Sequence, residues 1–61
     1  MIDPTTLKNP DDIRRKVIFR NKDEGWIFAF SKVDILVVYP PKEYAELTNP
    51  RDLDFVQEEN G

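Results

Sequence analysis

No cysteine and no histidine occur among the 61 residues, serine occurs once at Ser31, and the only glycines are Gly25 and Gly61. The missing thiols and imidazoles exclude disulfide staples, zinc-type structural sites and the usual nucleophile–base pairs. Two isolated glycines exclude a glycine-rich phosphate loop. Carboxylate chemistry is the one catalytic option left, and its candidates are poorly placed. Asp11-Asp12 sits at a turn start, and Glu58-Glu59 lies in the tail. The chain therefore reads as a binding protein and not an enzyme, with no cofactor and no metal expected. It also lacks a basic leader and any apolar run long enough for a signal peptide or membrane span, and the lack of cysteine fits a reducing compartment. The expected location is the cytoplasm, with no membrane partner.

What is present is modest in size. A chain of 61 residues makes one domain, 1–61, with 57–61 expected to fray. At this length folding buries only about 60% of the surface that the unfolded chain exposes. A thin core without disulfides or metal points to close packing or to a homo-oligomer.

Net charge is −3, which argues against a duplex-DNA binder. The charge is unevenly spread. Arg14, Arg15, Lys16, Arg20 and Lys22 fall together without an acid between them, whereas Glu43, Glu46, Asp52, Asp54, Glu58 and Glu59 face only Arg51 in the last third. The cationic stretch is either a solvated face or an anion-binding patch.

The pattern L-x-N-P-x-D-I/L occurs twice, at Leu7–Ile13 and at Leu47–Leu53. Asn suits a cap, Pro the first helical position and Asp the positive end of a turn. Each copy predicts one helical turn whose Leu and Ile anchors plug the end of a sheet. Between the copies the chain reads as strands. Lys16–Arg20 is β-branched and aromatic, Asn21–Gly25 is a polar loop, and Trp26–Ser31 resumes with bulky residues, making a hairpin. Ile35–Tyr39 is an apolar run stopped by Pro40-Pro41. Glu43–Leu47 and Asp54–Val56 predict a fourth and a fifth strand. The fold class expected is mainly β: a small five-stranded SH3-like barrel or a strongly bent antiparallel sheet, with two one-turn helical plugs.

Both Trp26–Phe30 and Ile35–Tyr39 are apolar on alternate as well as consecutive positions, so a second face needs cover from barrel closure, a second copy or a ligand. By period two, Trp26, Phe28 and Phe30 share one face. They are either core or an aromatic stripe flanked by Arg14, Arg15, Lys16 and Arg20. Such a stripe suits stacking on a nucleobase beside a phosphate, and equally a protein hot spot.

From Asn9-Pro10 and Asp12-Ile13 through Lys16–Arg20, Glu24–Ile27, Val37–Tyr39 and Thr48–Leu53, the layout resembles small phage-encoded SH3-like barrel proteins. The resemblance spans nearly the whole chain through structural motifs, and implies a five-stranded barrel with turn plugs. It carries no functional residue over. Trp26, Phe28 and Phe30 stand where smaller residues are usual in that pattern. Three functions are consistent with these features. The first is a phage-type accessory protein that inhibits a host system by sequestering a nucleotide or short oligonucleotide as a homo-oligomer. The second is a protein-interaction module that blocks a host enzyme. The third is a weak single-stranded nucleic-acid binder.

Overall fold

The computed structural model describes residues 1–56. Five strands form one antiparallel sheet: β1 (Lys16–Phe19), β2 (Asp23–Phe30), β3 (Ile35–Val38), β4 (Ala45–Thr48) and β5 (Leu53–Phe55). Their order across the sheet is β4-β3-β2-β1-β5. The first four strands meander, and the chain then returns so that β5 pairs with β1. Two lone 3₁₀ turns, Pro4–Thr6 and Pro50–Asp52, are the only helical pieces among the described residues. This is the expected mainly-β class, a small bent or barrel-like sheet.

The strand reading holds with shifted ends, and the shifts have local causes. Arg20 and Asn21 adopt positive φ of 51° and 56°, and the Lys22 N–H donates to the Phe19 carbonyl at 3.0 Å, so the hairpin turns within three residues. Asp23, Glu24 and Gly25, expected in the loop, are therefore strand residues. Gly25 serves close approach and not turning. A Cβ there would stand 2.5 Å from the Val38 carbonyl oxygen and 2.7 Å from Val37 Cγ1.

The two repeat copies fold differently. In the second, Asn49 Oδ1 accepts from the Arg51 N–H, Pro50 opens the 3₁₀ turn and Leu53 is fully buried, as the sequence predicts. In the first, the expected helical turn is absent. Asp12 takes over the capping: its Oδ2 accepts from the Lys8 N–H at 2.8 Å while its own N–H donates to the Lys8 carbonyl at 2.8 Å. Closure by Asp12 leaves a non-helical turn, and the other 3₁₀ turn forms earlier, behind an Asp3 cap. The anchors still plug as expected, with Leu7 buried and Ile13 packed against the core.

The core comprises Ile2, Leu7, Val17, Ile27, Ile35, Val37 and Leu53, with Phe19, Phe30, Tyr39 and Phe55 packed on it. Only Val17, Ile27, Ile35, Val37 and Leu53 are large side chains sealed completely, the thin core that the length implies.

Candidate binding surface

The placement of the aromatic residues is decided by one irregularity in β2. Ile27 pairs with Val37, but the next pair is Ala29 with Leu36, so Phe28 is an extra residue in the ladder. Such a bulge reverses the alternation of every residue beyond it. Trp26 lies before the bulge, across from Val38, on the face opposite Ile27 and the core. Phe30 lies after it, across from the buried Ile35, and packs against the core. The three-residue stripe expected from period two is therefore corrected. Trp26 and Phe28 stay together on the outer side, with ring centroids 6.3 Å apart and planes tilted by 54°, while Phe30 is a core residue.

Two rows cross the outer face. Lys16, Trp26, Val38 and Ala45 align on β1 to β4, and Ala29, Leu36 and Leu47 align on β2 to β4. Trp26 and Leu36 are half-buried, whereas Phe28 is 54% exposed and Leu47 69% exposed. Val38 is buried beneath this surface. Aromatic and aliphatic side chains in adjacent register make a continuous apolar patch, the kind that marks an interaction site. Leu36 and Val38 were not singled out individually from the sequence; their signal was the unbroken Ile35–Tyr39 run, too apolar for one buried face. Leu47, expected as a plugging anchor of the second repeat, is exposed instead, because its register with Leu36 sets it on the outer face.

The cations are not gathered beside this patch. Arg14 and Arg15 both face Ile27 at the start of β1: the Arg14 N–H donates to the Ile27 carbonyl at 2.7 Å, and the Ile27 N–H to the Arg15 carbonyl at 3.0 Å. Arg14, at φ 71°, is the left-handed residue of this second bulge. The Arg15 guanidinium lies 3.8 Å above the Phe55 ring and donates to Asp12 Oδ1 at 2.9 Å. That bond, followed by the one from the Lys8 N–H, holds the Asp12 carboxyl below its ordinary range. Arg20 is at the opposite end of β1, on the order of 15 Å away at the rise of a strand. Its guanidinium lies over the Phe19 ring at 5.1 Å and reaches Asp52 at 3.4 Å. Lys16 alone of the expected cations shares a register row with Trp26.

A second feature is a groove of about 480 Å³ where the bent sheet brings the β1–β2 turn near β4 and the second 3₁₀ turn. Phe19 and Tyr39 form its wall, edge to face with centroids 6.4 Å apart, and Pro40 and Pro41 continue it. The Tyr39 hydroxyl and Thr48 Oγ1 are 2.9 Å apart, and Thr48 Oγ1 donates to the Glu46 carbonyl at 3.2 Å, which fixes the ring. Asp23, Glu46 and Asp52 supply carboxylates. Burial pushes the Tyr39 hydroxyl pKa up, and the charges of Glu46 and Asp23 add to that rise against the Thr48 bond. Lys42 is likewise raised, first by its 2.9 Å hydrogen bond to Glu46 and then by neighbouring negative charge. Sequence reading treated these residues as strand ends and tail acidity. Nothing in their spacing signalled that the fold would collect them.

Among the described residues no group of three acidic side chains is placed to hold a metal ion, and no helix is long and apolar enough to cross a membrane. Comparison with protein-family models, with curated proteins and with solved structures gives no match.

Proposed function

We propose that this chain is a non-catalytic protein-interaction module whose outer sheet face docks on a partner protein. The observation that carries this reading is the apolar surface around Trp26, where Phe28 is 54% exposed and Leu47 69%. An aromatic centre with aliphatic neighbours is the composition of an interface hot spot. The residue inventory supports binding over catalysis, since His and Cys are missing and the single serine is exposed at Ser31. The resemblance to small phage-encoded barrel proteins makes a host protein, blocked by occupation of its surface, the partner class to test.

Sequestration of a nucleotide or short single strand is the second reading, supported by Lys16 standing across from Trp26. Two things favour the protein reading over it. Arg15 and Arg20 are engaged with Asp12 and Asp52 within the chain. The Trp26 and Phe28 rings are also tilted instead of parallel, so they do not form a slot for a base.

The test compares the wild-type chain with Phe28→Ser, both tagged and recovered from cells of the natural host. A stoichiometric protein partner retained by the wild type and lost by the variant is the expected result. Thermal shifts against a nucleotide panel, larger for wild type than for Phe28→Ser and without any protein partner, would move the assignment to the second reading.

A further inference from the structure

The chain shows twice how it holds an arginine. Arg15 lies on the Phe55 ring with Asp12 as its carboxylate, and Arg20 lies on the Phe19 ring with Asp52. A flat guanidinium suits this arrangement, because its face stacks on a ring while its edge donates to a carboxylate. The groove contains a third set of the same kind: the Tyr39 ring with Asp23 and Glu46, whose charges both act on the Tyr39 hydroxyl. No arginine of the described residues is ion-paired to Asp23 or Glu46; the cations bordering the groove are Lys42, hydrogen-bonded to Glu46, and Arg20, paired with Asp52.

We infer that the groove between the β1–β2 turn and β4 takes an extended segment of a partner protein, with an arginine of that segment seated on Tyr39 between Asp23 and Glu46. Charge complementarity selects the cation. The apolar wall of Phe19, Tyr39 and Pro40 selects a side chain with a hydrocarbon stem over a small hydrated ion. The volume, about 480 Å³, accommodates a few residues. β4 borders the groove as an edge strand, paired among the described residues only with β3, and an edge is where an extended chain finds main-chain partners. The groove adjoins the Trp26 face at Leu47, which belongs to both, but the inference does not depend on the function proposed there.

The experiment is a titration of the ¹⁵N-labelled full chain, followed by amide chemical shifts, with three capped pentapeptides: Ala-Leu-Arg-Leu-Ala and its versions with Gln or Glu in the central place. Saturable shifts at Asp23, Tyr39, Glu46 and Asn49 are expected with the Arg peptide. The Gln peptide should bind about fivefold more weakly, the upper range for one exposed charge contact, and the Glu peptide should give no saturation. Asp23→Asn combined with Glu46→Gln should abolish the difference between Arg and Gln peptides, while Phe28→Ser should leave it unchanged. The proposal is overturned if the Arg and Gln peptides bind wild type equally, or if neither shifts the groove amides. It is also overturned if concentrating the protein alone shifts those amides, since the occupant would then be a second copy of this chain. The peptide comparison uses wild type, so misfolding of a variant does not blur the outcome.

Discussion

Neighbouring residues of β2 have opposite fates: Ile27 is completely sealed, and Phe28 beside it is more than half exposed. The inner face gathers branched aliphatics, Val17, Ile27, Ile35, Val37 and Leu53, whereas the outer face carries Trp26, Phe28, Leu36 and Leu47. Hydrophobicity does not separate the two sets. Cover does, because one face is closed by the bend of the sheet and the turn plugs, while on the other Phe28 and Leu47 stay exposed. Single exposed apolar residues such as Val33 are ordinary, and it is the adjacency of Phe28 to Trp26 and of Leu47 to Leu36 that sets this face apart.

The contrast is open to direct attack, most strongly from inside. Ile27→Ala should cost about 2–5 kcal/mol by loss of burial and the cavity left behind, measured by urea unfolding. A domain of this length has roughly 3–9 kcal/mol in total at the usual stability per residue, so a fully folded variant with an unchanged midpoint would break the distinction between faces. Gly25→Ala should cost about 1–3 kcal/mol through overpacking, since the new methyl meets backbone at Val38. Outside, Phe28→Ser should change stability by less than about 1 kcal/mol, the usual scale for surface changes, while it removes partner binding. A large loss of stability there would mean that the outer face is already covered within the chain.

A smaller effect marks the segment that belongs to neither face. Asp12 has its carboxyl pKa lowered from 3.8 by Arg15 and by the Lys8 N–H. A depressed carboxyl contributes stability that is present above its unfolded value and lost as pH falls through the lower folded value. Below about pH 4, amide exchange at Lys8 and Ile13 should quicken before exchange in β2 and β3 does. Uniform acceleration across the sheet would show that this turn is not held by Asp12.

Much of the fold was legible because the central strands are rich in β-branched or aromatic residues and bounded by polar or proline residues, as in Ile35–Val38 before Pro40-Pro41. The second repeat turn was legible too, since Asn49, Pro50 and Leu53 do what their positions suggest. The first was misread because Asp12 engages Lys8 through both side chain and backbone. The candidate surface was half legible. Trp26 and Phe28 were identified from composition, but Phe30 was placed on the wrong side because no glycine or proline announces the bulge at Phe28. The groove could not be read at all. Most of its residues fall within 39–52, and Phe19 and Asp23 join them only through the bend of the sheet.

The bulge also bears on how such a chain tolerates insertion and deletion. Loss of the single codon for Phe28 would remove the extra residue and leave a regular ladder, with Ile27 across from Val37, Ala29 from Leu36 and Phe30 from Ile35. Trp26 and Phe30 would keep their faces, and only the exposed ring of Phe28 would be lost. A codon lost from the exposed Pro41–Tyr44 connection shifts no alternation. Natural variants of this chain should therefore differ in length in that connection and at the bulge itself, while Ile27, Ala29 and Phe30 stay in step with Val37, Leu36 and Ile35.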